Sequence, residues 1–74
     1  MEQTLLEMQE NLKDGFFVAF ISENEDPYFA LGKSDNVNFL DDKTVKIQKK
    51  NGRTTIINLN LIIEICIRRF DSYV

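Results

Sequence analysis

The side chains of this chain with the clearest capacity for chemistry are cations. Lys46, Lys49, Lys50 and Arg53 fall close together, and Arg68 and Arg69 end an apolar run near the C-terminus. Such groups neutralise phosphates, and Phe70 or Tyr73 beside the second pair offers a ring on which a base could stack. These six residues are the candidate nucleic-acid contacts. The same lysines have a second reading, since charges on a strand edge prevent edge-to-edge aggregation. A net charge of −3 argues against general affinity for polyanions and favours that second role.

Other chemistry is limited by residue type. The chain has no histidine, which excludes Ser-His, Cys-His and His-metal arrangements from a single copy. Cys66 is the only cysteine, so no intrachain disulfide and no all-thiolate metal site can form. It reads as a small strand filler, with Arg68 two residues on and on the same strand face. Gly15, Gly32 and Gly52 are isolated and make no phosphate-cradling loop. The carboxylate runs Glu23-Asn24-Glu25-Asp26 and Asp41-Asp42 lack the spacing of a calcium loop and read as solvated turns. The expectation is a non-enzyme with no catalytic residues, no metal and no cofactor.

The elements that must position these residues are short. Thr4 and Glu7 fit a capping box, and Leu5, Met8 and Leu12 recur at helical spacing, predicting a helix over about residues 3 to 13 that Gly15 ends. Phe16 to Ser22 is apolar on both faces and reads as a strand buried on both sides. Residues Glu23 to Pro27 make a turn, and Tyr28 to Lys33 returns as a second strand with Gly32 at a bend. Ser34 to Asp42 reads as a polar loop tethered by Val37, Phe39 and Leu40. Strands at about 44 to 50 and 53 to 58 flank Asn51-Gly52, which predicts a two-residue type I′ turn with positive φ at both positions. A last strand follows at 62 to 68. Ile47, Ile56, Ile62 and Ile65 are the expected core residues of this C-terminal part.

Seventy-four residues make one domain, 1–74, with the helix followed by a sheet region at about 16 to 68. Five short strands with no second helix to support a parallel crossover predict a mainly β fold: an N-terminal helix, then a five-stranded antiparallel, strongly bent small β-barrel. A core this small is only marginally stabilising, so a homo-oligomer or a protein partner is expected. The charge is divided: residues 1 to 32 hold seven acids and one base, residues 33 to 74 eight bases and five acids. Such a dipolar molecule favours head-to-tail self-association or a localised basic contact. The single cysteine, the lack of an apolar run of membrane-spanning length and the acidic N-terminus lead to the expectation of a cytoplasmic protein without membrane contact.

The order of elements resembles the Sm-like family, including the bacterial Hfq type, in which an N-terminal helix precedes a strongly bent five-stranded barrel. Leu12-Lys13-Asp14-Gly15-Phe16-Phe17-Val18 resembles the family's start of the first strand, and Tyr28-Phe29-Ala30-Leu31-Gly32 its second strand with a glycine. Ile57-Asn58-Leu59-Asn60-Leu61-Ile62-Ile63-Glu64-Ile65 resembles the C-terminal motif, roughly Ile-Arg-Gly-Asn-x-Ile-x-x-Ile. Asn58 and Leu59 stand at the Arg-Gly pair, whose Arg supplies stacking and charge to a bound base in the family. Asp35 and Asn38 have the types of the family's third-strand motif at compressed spacing. The resemblance implies the barrel and an RNA-binding oligomer, and the missing Arg-Gly pair shifts the expectation to a non-catalytic interaction module. That module self-associates and binds or regulates another protein, with weak RNA binding through the basic hairpin as the alternative.

Overall fold

The computed structural model describes residues 2–24 and 27–70. Helix α1 spans Glu2–Glu10 and is followed by β1 (Phe16–Ser22), β2 (Phe29–Leu31), β3 (Asn36–Phe39), β4 (Thr44–Gln48) and β5 (Thr54–Asn58). A single 3-10 turn, Leu59–Leu61, leads into β6 (Ile62–Arg69). The strands form two three-stranded antiparallel sheets, ordered β2-β1-β6 and β3-β4-β5. The expected mainly β fold with one N-terminal helix is present. The five-stranded closed barrel is not: among the described residues there are six strands, and no strand pairing joins the two sheets into a closed cylinder.

The sixth strand comes from the segment expected to be a loop. Asn36-Val37-Asn38-Phe39 alternates polar and apolar residues, so Val37 and Phe39 both reach the core while Asn36 and Asn38 face outward. Pairing Val37 with Ile47 and Phe39 with Val45 makes this β3. The preceding strand stops at Leu31 rather than Lys33, because the chain turns from Gly32 to Asp35. That turn is closed by Asp35 N–H donating to the Gly32 carbonyl at 3.3 Å and Gly32 N–H donating to Asp35 Oδ2 at 2.8 Å.

β1 holds the molecule together. Val18 and Phe20 face the main core with Leu5, Leu12, Leu31, Val45, Ile47 and Ile57, all at most 2 % exposed. Phe17, Ala19 and Ile21 point the other way and are also buried, packed with Ala30 and Cys66. A strand this apolar on both faces is stable only at the centre of a sheet, which is where pairing with β2 and β6 puts it.

Local chemistry at three turns differs from the reading of the sequence. Thr4 does not cap α1, since the helix already includes Glu2; Glu7 instead accepts a 3.5 Å bond from Gln3 Nε2. Gly15 has φ +87° as expected, but it serves the turn after the helix, where Phe16 N–H bonds the Lys13 carbonyl at 3.1 Å. The β4–β5 loop has three residues, Lys50, Asn51 and Gly52, inside a Lys49 N–H to Arg53 carbonyl bond of 2.7 Å. Only Gly52, at φ +95°, is left-handed. This is the longer hairpin with a glycine at its third loop position, replacing the expected type I′ turn. Asn51 Oδ1 supports it by accepting from Arg53 N–H at 3.0 Å.

Of the four isoleucines expected in the core, Ile47 is fully buried, and Ile62 and Ile65 are half-buried against the same cluster. Ile56 is 60 % exposed. The β4–β5 register pairs Val45 with Ile57 and Lys46 with Ile56, so inward-facing Val45 gives the core position to Ile57 and turns Ile56 to the outer face.

Candidate interaction surface

The sequence-predicted cations do not form one surface. Lys49 is drawn inward by Asp35, the one charged or polar residue buried among the described residues. Lys49 Nζ lies 2.7 Å from Asp35 Oδ2 and donates to the Ala30 carbonyl at 2.7 Å, 5.3 Å from the centre of the Phe29 ring. Asp35 Oδ1 also accepts from Lys50 N–H at 2.9 Å. From α1, Gln9 Nε2 donates to the carbonyls of Gly32 at 3.0 Å and Asp35 at 2.6 Å. Burial pushes the Asp35 carboxyl up, but the bonds from Lys49, Gly32 and Lys50 and the Lys49 charge outweigh it and hold its pKa below the usual carboxylate value. This node ties the helix, the β2–β3 turn and the β4–β5 hairpin together. The sequence marked Lys49 only as a member of a basic run and Asp35 only by its likeness to a family motif; their pairing spans 14 residues and no local pattern announces it.

The remaining cations fall into two groups on different sheets. Lys46 is half-buried on β4, between Asn38 of β3 and Ile56 of β5, while Lys50 and Arg53 are exposed at the hairpin tip. Arg68 and Arg69 end β6, opposite Phe17 and Phe16 of β1. The Arg69 guanidinium lies 5.8 Å from the centre of the Phe16 ring, and Phe70 packs against Phe17 with ring centres 4.9 Å apart. Tyr73 lies outside the described residues, as do Glu25 and Asp26 of the acidic run. Asp41 is a turn residue: its Oδ1 accepts from the N–H groups of Lys43 and Thr44 at 2.8 Å each, which lowers its pKa.

The surface carries a different signal that the sequence reading missed. Ile56, Leu61, Ile63 and Ile67 are each about half exposed or more, and they lie on β5, the 3-10 turn and β6. Those two strands are edges: on its outer side neither pairs with another strand of the described residues. Between α1 and the start of β6 runs an open, mainly apolar groove of about 270 Å³, lined by Leu5, Met8, Leu59, Ile62 and Ile65 among others. Ile63 and Ile67 could have been singled out by their positions on an apolar last strand, but the exposure of Ile56 depends on register.

Compared with protein-family models, with curated proteins and with solved structures, the chain matches none. Among the described residues no helix is long and apolar enough to cross a membrane.

Proposed function

We propose that this chain is a non-catalytic interaction module that self-associates through the open edges of β5 and β6 and, so assembled, binds or regulates another protein. The observation that carries this reading is the coincidence of exposed aliphatic side chains with two unpaired strand edges. An exposed apolar edge is an association site unless charge, proline or a covering element protects it; β5, Thr-Thr-Ile-Ile-Asn, contains no charge or proline, whereas β6 carries Glu64, Arg68 and Arg69 and leaves only Ile65-Cys66-Ile67 uncharged between them. Because β5 and β6 differ in length and sequence, pairing one with the other is head-to-tail and generates a ring or a filament. A reducing, cytoplasmic setting suits a chain whose single cysteine is unpaired. Light scattering coupled to gel filtration tests the reading. A species larger than the 8.6 kDa monomer is expected, dissociating in Ile63→Lys and Ile67→Lys. A strict monomer at high concentration removes it.

A second reading, an Sm-like RNA-binding oligomer, is supported by rings and cations at the β1–β6 end, with Arg69 over Phe16 on one face of the sheet and Phe70 against Phe17 on the other. Lys50 and Arg53 at the hairpin tip would add phosphate contacts. Anisotropy of a labelled single-stranded oligonucleotide distinguishes it, since binding lost in both Arg69→Gln and Phe70→Ala would place the bases at that end.

A further inference from the structure

Among the strands of its sheet, β6 alone carries charged residues: Glu64, Arg68 and Arg69. Lys13, Asp14 and Glu23 lie beyond the ends of β1, the central strand. Charges on an open edge ordinarily keep a second strand away. The register with β1 puts Glu64, Cys66 and Arg68 on one face of the sheet, opposite Ile21, Ala19 and Phe17. Ile65 and Ile67 take the other face, with Phe20 and Val18. One face of β6 therefore reads acid, thiol, base at every second residue, a pattern complementary to its own reverse.

The backbone has the matching phase. Phe70 N–H donates to the Gly15 carbonyl at 2.9 Å, continuing the register in which Arg69 faces Phe16. Hydrogen-bonded and non-hydrogen-bonded pairs alternate along an antiparallel ladder, so Arg68 and Cys66 direct their N–H and C=O groups to β1, while Ile65 and Ile67 direct theirs to the open side. No strand of the described residues pairs there. The β1–β6 register shifts between Ile21 and Ser22, so the alternation is regular from Glu64 to Arg69.

We propose that β6 pairs antiparallel with β6 of a second copy about a twofold axis at Cys66. Ile65 then exchanges N–H···O bonds with Ile67 of the second copy, Glu64 stands opposite Arg68 of the second copy, and the two Cys66 residues face each other as a non-hydrogen-bonded pair. Sliding one strand by two residues sets Glu64 or Arg68 opposite Cys66 instead, sliding it by four sets like charges opposite each other, and sliding it by one turns every side chain to the wrong face. β5 has no charged residue and so offers Glu64 and Arg68 no counter-charge. Arg68 has a contact within its own chain, and the fork of donors on a guanidinium serves a second partner as well. The contact is isologous and closes at two copies. It rests on the self-association reading and names β6 with β6, rather than β6 with β5, as the pairing of this edge.

Cys66 reports the register. Cα atoms of a non-hydrogen-bonded pair lie about 4.5 Å apart, within the span of about 4.4–6.8 Å that a disulfide bridges. Diamide serves as the oxidant and takes up the two electrons and two protons released when the two thiols join. The unaltered chain is expected to form a covalent dimer on a non-reducing gel about tenfold faster or more than Cys66→Ser combined with Ile67→Cys, whose thiols sit on a diagonal with Cβ atoms about 7–8 Å apart. Sedimentation velocity at about 50 mM salt, where screening is weak, tests the charges. Glu64→Arg and Arg68→Glu are each expected to weaken association about tenfold or more, and the double variant and an equimolar mixture of the two single variants to recover it. Arg68 is half-buried, and the cross-linking of the unaltered chain keeps the test open if Arg68→Glu fails to fold. An associated chain that cross-links no faster through Cys66 than the Ile67→Cys variant, or that is indifferent to the charge substitutions, overturns this contact and leaves edge pairing through β5 standing. An unaltered chain that is strictly monomeric overturns both.

Discussion

Removing the Asp35 carboxylate should separate structural from surface cations in this chain. Asp35 is 7 % exposed and accepts three hydrogen bonds, from Gly32 N–H, Lys50 N–H and Lys49 Nζ. Asp35→Ala leaves the Gly32 N–H and the Lys49 ammonium without that partner, although Lys49 keeps the Ala30 carbonyl and its side chain is 26 % exposed, so water takes over part of its solvation. A bond to a charged group contributes about 1.5–3 kcal/mol and a stranded buried N–H costs about 1–3 kcal/mol. Solvent access to Lys49 and Lys50 brings the expected loss to about 2–4 kcal/mol. Lys49→Met should cost less, about 1–3 kcal/mol, because the carboxylate it abandons still accepts two backbone N–H groups. Lys50→Ala should change stability by no more than about 0.5 kcal/mol, since only its backbone N–H is used. Urea unfolding with linear extrapolation gives all three values. Equal effects at Lys49 and Lys50, or a loss at Asp35→Ala below about 0.5 kcal/mol, would refute the argument that this node fastens helix, turn and hairpin together.

Acid should weaken the same node. The folded pKa of Asp35 is below its unfolded value, so its contribution is complete above about pH 4 and is lost as pH falls through the folded pKa; unfolding midpoints below that pH should drop less in Asp35→Asn than in the unaltered chain. In the core, Ile47→Ala should cost about 2–5 kcal/mol, half-buried Ile65→Ala less, and Ile56→Ala close to nothing in a monomer, which thermal melts at low protein concentration would rank. Gly52→Ala forces a Cβ into φ +95° and should destabilise by about 1–2 kcal/mol by urea titration, although nothing lies within 4 Å of the added atom. Any RNA binding should be weak and fall steeply with salt, and replacing Lys46, Lys50 and Arg53 by Gln should flatten that salt dependence in an anisotropy titration; tight, salt-resistant binding that survives the change would place the pocket elsewhere.

The sequence was most legible where one physical demand dominates. β1 has the bounds its composition predicts, because a seven-residue run rich in strand formers and apolar on both faces has few other places to go. The basic hairpin was visible, but its turn was read one residue short: Asn-Gly suits a two-residue loop on local grounds, whereas the Lys49 to Arg53 closure and the Asp35 bond to Lys50 N–H select the longer one. The polar character of Ser34 to Asp42 predicts a tethered loop, and the cross-strand packing of Val37 and Phe39 outweighs it to make β3. Among the candidate site residues, Lys46, Lys50 and Arg53 stay together at one hairpin, Lys49 leaves them for a buried partner, and Arg68 and Arg69 belong to the other sheet.

The pair Ile56-Ile57 shows why function was harder to read than fold. Adjacent identical residues on a strand must face opposite ways, and composition contains nothing to say which is inside. Register decides it, through Val45 on β4, and the decision leaves one isoleucine in the core and the other exposed on the outer face across from Lys46. A hydrophobic residue counted toward stability in the sequence thereby becomes a candidate for association. For a chain of 74 residues the two roles are linked, since a single small core contributes little surplus stability and burial against a second copy stabilises the folded state by mass action. Stability that rises with protein concentration for the unaltered chain, but not for Ile63→Lys, would be the thermodynamic expression of that link.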